Sequence, residues 1–425
     1  MRRRLLGALA ASALVAALGA CGGGDEASGG KTEVVFSYLW AGEEAAALEK
    51  IITDFNASQD KITVKGVSSP DFQKQLTSMS GAQGSFDISD HFGSGVGAWA
   101  SKGILTPLDD FIKADGYDTK DFPAAAMSQM VYQGKTYSMP IALHTQMLLY
   151  NKKLYAEAGL AGPPKTTEEW AEQIAKLTKR GADGTITQLG YANAEINTSF
   201  TTLGFMFGGS WDDQSGASTP ANPGNVAGLS FYTDNIPGKY GVEQVRKFTS
   251  GFGEYASAQN AFYTGKAATI IDGEWQPVAI KKFAPTLEWG VAPLPYPSAQ
   301  PNLAGTTQVT TSTLFIPRNA KHPKEAWEFM KYLLAKDAMT KFSLALGNLP
   351  ARTSLVDDPQ YKALPQFDAW LGALKSTNAR SLASSPWAAQ YTADLAQAFD
   401  DIAQQRKAPN DGLAGVAQKA KSYAP

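Results

Sequence analysis

Strand-like and helix-like segments alternate along the first part of the chain. Residues 33–39 (EVVFSYL) are rich in β-branched and aromatic side chains, which is typical of a strand. The next segment places Leu48, Ile51 and Phe55 on one face of a helix, and residues 62–67 again alternate as a strand does. A strand, a helix and a second strand in this order predict parallel βαβ units. We therefore expect an α/β fold whose sheets are covered by helices.

A long apolar segment in the middle of the chain contains a proline. Residues 135–152 (KTYSMPIALHTQMLLYNK) include Pro140, which a single central strand does not tolerate because its nitrogen carries no hydrogen. We predict two strands here, with a crossing between two bodies near residues 141–145. The last third of the chain is predicted to be mostly helical, and its aromatic stripes at helical spacing are assigned to the core.

The first residues have the pattern of an export signal. Arg2-Arg3-Arg4 precede a short apolar run over residues 5–18, and Cys21 follows small residues. This start resembles a bacterial lipoprotein signal, so we predict a signal peptide over residues 1–20 and a lipidated Cys21 with a flexible tether over residues 21–30. The alternative is that Cys21, the only cysteine, is a small buried hydrophobe. Lipidation predicts an extracytoplasmic protein anchored to the outer face of the cell membrane.

Length, charge and motifs exclude several classes of protein. About 400 residues remain after the signal, which is more than one ordinary domain. Without the three signal arginines, 35 basic residues stand against 40 acidic ones, and this mild charge argues against nucleic-acid binding. The histidines His91, His144 and His322 have no metal-binding spacing, and the sequence contains no nucleophile elbow or phosphate loop. We therefore predict no metal, no cofactor and no enzyme activity.

Three tryptophans lie outside the helical stripes and beside carboxylates. Trp40 follows a predicted strand, Trp211 follows a Gly-Gly pair, and Trp275 follows Asp272-Gly273-Glu274. In open α/β sheets, ligands bind in the crevice at the carboxyl ends of the strands. An indole ring can stack on the apolar face of a pyranose, and charged side chains can hold its hydroxyls. These residues therefore favour a sugar site, the alternative being that a loop tryptophan only plugs one end of a core.

Four sequence blocks carry a family resemblance. They are residues 86–108 with Trp99-Ala100-Ser101-Lys102-Gly103, residues 138–153 with Tyr150-Asn151-Lys152, residues 265–275 with Asp272-Gly273-Glu274-Trp275, and residues 322–333 with Trp327-Glu328-Phe329. In this order they resemble the extracellular solute-binding proteins of ABC transporters, in the sugar-binding family that includes maltose-binding protein. The resemblance implies a two-lobed, periplasmic-binding-protein-like (type II) fold that closes on its ligand by a hinge motion.

The resemblance also implies how the chain is divided. Lobe 1 is expected to contain residues 31–142 and 276–311. Lobe 2 is expected to contain residues 143–275 and 312–425, which include the helical C-terminal region. The hinge crossings are expected near residues 141–145, 272–275 and 310–317. The expected partners are a carbohydrate ligand and the permease subunits of an ABC importer, with the chain acting as a monomer.

Twelve candidate ligand contacts follow from the same resemblance, position by position. They are Trp40, Glu43, Asp90, His91, His144, Trp211, Asp272, Glu274, Trp275, Gly305, Thr306 and Arg352. His144 stands where a relative has an acidic ligand contact, which implies a smaller sugar or one with different hydroxyl geometry.

Two other functions compete with sugar capture. The same clamp could bind another solute. For a polyamine we would expect more clustered acidic residues beside the loop aromatics, and for an anion we would expect more arginine near strand ends. A peptide is a further candidate solute. A secreted glycoside-acting enzyme would use a pair of carboxylates that a single sequence does not reveal, and it predicts turnover of a chromogenic glycoside.

Overall fold

The computed structural model describes residues 30–193, 195–213, 216–255 and 257–423. These residues form two large β-sheets flanked by helices and one two-stranded sheet, made of Val131–Tyr132 and Lys135–Thr136. The predicted signal peptide, Cys21 and the tether up to residue 29 lie outside these residues. None of the helices in the described residues has both the length and the apolar composition that a membrane span requires.

Fourteen strands are found in the described residues. In chain order they are β1 (Thr32–Tyr38), β2 (Ile62–Ser68), β3 (Ile88–Phe92), β4 (Val131–Tyr132), β5 (Lys135–Thr136), β6 (Ser138–Thr145), β7 (Met147–Asn151), β8 (Lys179–Arg180), β9 (Ile186–Tyr191), β10 (Ala267–Asp272), β11 (Trp289–Ala292), β12 (Thr307–Phe315), β13 (Leu349–Pro350) and β14 (Ala379–Arg380).

Seventeen α-helices are found in the same residues. In chain order they are α1 (Gly42–Ser58), α2 (Phe72–Ser80), α3 (Val96–Ser101), α4 (Asp109–Asp115), α5 (Ala124–Met130), α6 (Lys152–Glu157), α7 (Thr167–Leu177), α8 (Ile196–Met206), α9 (Pro223–Asn235), α10 (Pro237–Tyr240), α11 (Val242–Thr249), α12 (Gln276–Phe283), α13 (Pro323–Leu333), α14 (Lys336–Leu346), α15 (Phe367–Leu374), α16 (Ala388–Ala403) and α17 (Pro409–Ala420). Short 3-10 turns cover Gly93–Gly95, Pro301–Leu303, Thr353–Leu355 and Pro359–Ala363.

The first sheet has the strand order β13-β6-β12-β3-β1-β2, with β14 paired to β12. Strand β1 runs parallel to β2 and β3, as the alternating pattern predicts. Its inward-facing residues Val34 and Phe36 are fully buried and share a core with Leu48, Ile51 and Phe55 of α1. Strand β12 lies antiparallel between β3 and β6, so a late segment of the chain occupies the middle of this sheet.

The second sheet has the order β11-β7-β10-β9-β8. Strand β10 is parallel to β9 and antiparallel to β7. A core that includes Trp170 of α7, Phe200 of α8 and Phe399 of α16 packs on this sheet. The spacing of Thr166 and Glu169 in the sequence predicts a capping box at the start of α7. The structure contains it, because Thr166 Oγ1 accepts from the Glu169 nitrogen and the Glu169 carboxylate accepts from the Thr166 nitrogen.

The chain passes directly from the first sheet to the second after β6. Only Gln146 separates β6 from β7, which is close to the predicted crossing near residues 141–145. The return to the first sheet lies between β11 and β12, and the last passage lies between β14 and α16. The expected crossing at residues 310–317 instead falls mostly within β12, and residues 272–275 form the turn between β10 and α12.

Several segments pack with a different body from the one expected. Strands β13 and β14, expected in lobe 2, pair with β6 and β12 of the first sheet. Strand β11, expected in lobe 1, pairs with β7 in the second sheet. Helices α13 and α14, expected in lobe 2, pack on α1, and α13 also contacts β1. Their apolar faces explain this, since Trp327, Phe329 and Phe342 join the core beneath the first sheet. The exact lobe boundaries stay a prediction.

Candidate ligand-binding cleft

A cavity of about 580 Å³ lies between the bodies built on the two sheets. This volume falls within the usual range of small-molecule sites. The side built on the first sheet contributes Trp40, Glu44, Phe92, Gly93, Ser94, Gln129, His144, Gln308, Thr310, Thr311, Ser312 and Asn348. The other side contributes Glu195, Asn197, Thr198, Ser199, Thr201, Tyr255, Ile271, Asp272, Trp275, Thr392, Leu395 and Phe399, with Gln146 at the crossing and Leu382 beside it.

Aromatic rings from both sides border this cleft. Trp40 follows β1 and packs edge-on against Phe342, with 4.9 Å between ring centroids. Trp275 follows β10 and is only partly buried. Phe92 and Tyr255 are also aromatic cleft residues and are 48% and 38% exposed. The structure thus brings Trp40 and Trp275 to one cleft, from the ends of strands in different sheets.

Neutral polar side chains line much of the remaining wall. The amide oxygen of Gln308 accepts from the hydroxyls of Thr201 and Thr202, at 2.7 and 2.8 Å. The amide oxygen of Gln129 accepts from Thr311 Oγ1 at 2.7 Å. Amides and hydroxyls fixed in this way can donate to or accept from the hydroxyls of a ligand. No lysine or arginine is found among the described residues that line the cleft.

His144 and Glu274 link the two sides beside the crossing. His144 Nδ1 lies 2.7 Å from Glu274 Oε1, and His144 Nε2 lies 2.9 Å from Ser312 Oγ. The nitrogen of Thr145 donates to Glu274 Oε2 at 3.2 Å. Since Glu274 is fully buried and both of its oxygens are engaged by the protein, its carboxylate does not line the cleft. His144 does line it, 5.7 Å from the Trp275 ring by centroids.

Asp272 accepts hydrogen bonds from three different residues. The hydroxyl of Tyr255 donates to Oδ1 at 2.7 Å, and the amide of Gln276 donates to Oδ2 at 2.7 Å. The nitrogen of Gly273 donates to Oδ1 at 2.8 Å. Burial raises the pKa of Asp272 to about 7, because the low-dielectric surroundings disfavour its charged form. The proton count of this carboxyl group therefore changes close to neutral pH.

Asp90 and His91 lie beside the cleft in a smaller cavity of about 230 Å³. Phe72 and Phe92 also border it, and their rings lie 6.4 Å apart by centroids. Asp90 Oδ1 accepts from the Leu39 nitrogen at 2.8 Å, and burial raises the pKa of Asp90 to about 7. Burial lowers the pKa of His91 to about 4, so this imidazole is neutral at pH 7.

The expectation that Trp211 faces a ligand is wrong for this structure. Its ring is fully buried and packs edge-on against Phe399, with 5.5 Å between centroids. Its Nε1 donates to the backbone oxygen of Thr201 at 2.9 Å. The turn at Gly208-Gly209 folds the chain back onto α8. Trp211 is therefore part of the core that packs on the second sheet, which is the alternative role given above for a loop tryptophan.

Four other candidate residues do not line the cleft. Glu43 is exposed on α1, 3.6 Å from the Lys282 ammonium. Arg352 is held by the carboxylate of Asp121 at 3.0 Å and by the backbone oxygen of Leu334 at 2.7 Å. Gly305 and Thr306 form the turn before β12, where the Thr306 hydroxyl donates to the Leu303 oxygen at 2.7 Å. Protein partners therefore satisfy the polar groups of Arg352 and Thr306.

Sequence reasoning missed Tyr255 and Gln308 among the cleft residues. Tyr255 lies in a glycine-containing loop beside Glu254, which is the criterion that selected the loop tryptophans. Applied to tyrosine as well, this criterion finds it. Gln308 has no such signal, because it belongs to a strand whose position in the sheet depends on distant partners.

Comparisons with known proteins agree with this architecture. The family model described as "Bacterial extracellular solute-binding protein" matches residues 41–340. Relatives from Brucella abortus and Brucella suis are 30% identical over 59% of this chain, and the chain spans 59% of their length. The maltotriose-binding protein of Pyrococcus abyssi is 24% identical over 90% of this chain and 80% of its own length.

A solved structure of another protein is similar to this chain in its three-dimensional fold. The complex of the protein CpMnBP1 with mannobiose is 26% identical, covers 92% of this chain and 100% of its own, and superimposes with a TM-score of 0.77. This likeness and the two-sheet topology confirm the two-lobed α/β fold that the sequence predicts.

Proposed function

Because the chain belongs to the family of bacterial extracellular solute-binding proteins, we propose that it captures a mono- or oligosaccharide in its cleft and delivers the sugar to the permease of an ABC importer. The observation that carries this proposal is the placement of Trp40 and Trp275 at one cleft, from the ends of strands in different sheets. Indole rings on two sides suit the apolar faces of a sugar, and the amides and hydroxyls between them suit its hydroxyl rim.

The similar proteins support a sugar as the ligand. One relative is named for maltotriose, and one structural neighbour holds mannobiose. The cleft wall is rich in glutamine, asparagine, serine and threonine, which recognise hydroxyls without a charge. The absence of lysine and arginine from the described lining disfavours an anionic solute, which would bring an uncompensated negative charge into the cleft.

Hinge closure is the proposed means of capture. Gln146 alone separates a strand of one sheet from a strand of the other, and the remaining two passages also connect the two bodies. Few backbone torsions then have to change for the bodies to rotate about the cleft. The His144–Glu274 link lies beside this crossing, so it stays near the axis of such a motion.

Lipid attachment at Cys21 is part of the proposal, although this residue lies outside the described part of the chain. A lipid anchor would keep a monomeric receptor beside its permease on the outer face of the membrane. Exchange of Cys21 for serine is expected to release the protein from cells into the medium. Retention of the variant on cells would contradict the anchor without affecting the proposal for sugar binding.

A cationic solute such as a polyamine is the second candidate. Three carboxyl side chains line the cleft, those of Glu44, Glu195 and Asp272, and no lysine or arginine of the described lining balances them. The carboxylate of Glu195 already has hydrogen-bond partners in the protein, because it accepts from the backbone nitrogens of Asn197 and Thr198 at the start of α8. Asp272 is also satisfied, because it accepts from Tyr255, Gln276 and Gly273, so a polyamine would have to rely mainly on Glu44.

A thermal-shift panel of the mature protein separates these candidates. Maltotriose, mannobiose and other mono- and oligosaccharides are compared with spermidine and with a tripeptide, since a ligand that binds only the folded state raises the melting temperature. A saccharide response confirmed by calorimetry supports the proposal. A response to spermidine alone overturns it in favour of the second candidate. Release of product from a chromogenic glycoside, abolished by exchanging a carboxyl pair, would indicate an enzyme.

A further inference from the structure

We propose that Tyr255 is a positioning residue that fixes the orientation of the Trp275 indole through a hydrogen-bonded chain ending at Asp272. This inference rests on the proposed function, because the orientation matters only if Trp275 stacks on a sugar. It adds a residue that the sequence did not single out. It also assigns a task to Asp272, one of the three carboxyl residues lining the cleft.

The chain of hydrogen bonds runs from the cleft wall into the protein. Trp275 Nε1 donates to the Tyr255 hydroxyl oxygen at 2.6 Å, and that hydroxyl donates to Asp272 Oδ1 at 2.7 Å. The Gln276 amide also donates to the Tyr255 oxygen at 3.2 Å. The Tyr255 oxygen therefore accepts twice and donates once, which leaves its single proton directed at Asp272.

The inner end of this chain is fixed. Asp272 is 3% exposed and is the last residue of β10, paired in register with Met147 of β7. Gln276 is held in turn, because the Tyr263 hydroxyl donates to its amide oxygen at 2.6 Å. A buried and fully bonded anchor can orient a partly exposed ring, because it has little rotamer freedom of its own.

The Trp275 ring lies against the turn at Gly273, and Tyr255 supplies its hydrogen-bond partner. Gly273 has no Cβ, and a Cβ at that position would collide with the six-membered ring of Trp275. His144 limits the ring only by an edge contact at 5.7 Å between centroids. Without the Tyr255 hydroxyl the indole N–H would bind water instead, and the ring would lose a directional restraint on its orientation.

A double-mutant cycle distinguishes positioning from direct ligand contact. Maltotriose and mannobiose are the probes, and calorimetry gives the affinities of wild type, Tyr255→Phe, Trp275→Ala and the double variant. Tyr255→Phe is expected to weaken binding about fivefold in the wild type and less than about twofold in the Trp275→Ala background. Equal losses of affinity in both backgrounds would overturn the proposal that Tyr255 acts by positioning Trp275. Tyr423→Phe, which also removes a tyrosine–aspartate bond but away from the cleft, is the matched control and is expected to change nothing.

A second readout needs no sugar. The indole N–H resonance of Trp275, assigned by its loss in Trp275→Phe, is expected to shift upfield in Tyr255→Phe because its acceptor is removed. An unmoved resonance overturns the proposal. If neither saccharide binds the wild type, the proposed function is contradicted for these sugars, while this resonance still decides the positioning.

The same resonance is expected to follow the titration of Asp272. Its midpoint should lie near pH 7 in the wild type, and the titration should disappear in Asp272→Asn. The titratable groups that face Asp272 are Glu274, Tyr255 and Tyr263, and His144 faces the Trp275 ring. A titration that persists in Asp272→Asn would contradict the hydrogen-bonded chain from Trp275 to Asp272.

Discussion

Trp211 and Trp275 share a local sequence pattern but not a structural role. Each follows a glycine-containing turn, lies beside a carboxyl residue and donates its indole N–H to an oxygen. The acceptor for Trp211 is the backbone oxygen of Thr201 inside the second core, whereas the acceptor for Trp275 is the hydroxyl of Tyr255 at the cleft. The surroundings of each ring therefore decide its role, and the local sequence pattern does not.

Close packing behind Trp211 leaves no free face. A Cβ on Gly204 would lie 2.6 Å from the Trp211 ring, and a Cβ on Gly209 would lie 2.6 Å from the backbone nitrogen of Asn225. Helices α8, α9 and α16 contact one another around this ring. At Trp275, the three atoms nearest to a Cβ on the comparable glycine, Gly273, all belong to the tryptophan ring. Three pairs of variants can test whether this difference separates stability from binding.

The largest expected effect is the loss of stability in Trp211→Ala. Removal of a fully buried indole is expected to lower the free energy of unfolding by about 3–5 kcal/mol. Chemical denaturation measures it, and Trp275→Ala is the matched control, with an expected loss below about 1 kcal/mol. Equal losses in the two variants would show that the partly exposed ring is also a core residue.

The second effect is the strain expected in Gly209→Ala. The new methyl group would meet the Asn225 nitrogen and the Gly204 oxygen, which belong to the backbone and cannot rotate away. We expect a loss of about 1–3 kcal/mol in unfolding free energy. Gly273→Ala is the control, because the atoms nearest to its methyl group belong to the Trp275 side chain, which can rotate away. It should weaken sugar binding and leave the melting temperature nearly unchanged.

The third effect is the loss of affinity in Trp275→Ala. Removal of the stacking surface is expected to weaken saccharide binding more than about tenfold, which corresponds to about 1.4 kcal/mol. Calorimetry with the saccharide found in the thermal-shift panel measures it. Unchanged affinity would remove Trp275 from the proposed site and leave Trp40 as the remaining predicted stacking ring.

The smallest expected effect comes from removing a single tyrosine hydroxyl, and it should differ between Tyr391 and Tyr255. Tyr391 donates to the backbone oxygen of Trp211 at 2.7 Å, so Tyr391→Phe is expected to cost about 0.5–1.5 kcal/mol of stability and to leave affinity unchanged. Tyr255→Phe is expected to weaken saccharide binding and to leave the free energy of unfolding unchanged. A binding defect in Tyr391→Phe of the same size would mean that the core around Trp211 and the cleft are energetically coupled.

Local patterns predicted the elements whose partners are adjacent in sequence. The alternation from β1 through α1 to β2 and the capping box at Thr166 and Glu169 depend on neighbouring residues, and the structure confirms both. The family, the fold class and two cleft tryptophans were also predictable. The membership of β11 in the second sheet was not, because it depends on pairing with β7, more than a hundred residues earlier.

The same limit applies to the cleft. Glu274 and Arg352 carry charges that suit a ligand, but the structure gives each of them a protein partner, His144 and Asp121 respectively. Only the folded arrangement shows that these groups are already satisfied. Tyr255 was missed for the opposite reason, since its importance comes from the two residues that it connects, Trp275 and Asp272.

The central position of β12 affects how the chain acquires its activity. This strand lies between β3 and β6 and supplies Gln308, Thr310, Thr311 and Ser312 to the cleft, although it comes more than two hundred residues after β3. A contact of such long range closes a large loop and is slow to form. We therefore expect the cleft to assemble late in folding, and a chain that ends before residue 307 lacks the part of the cleft that β12 supplies.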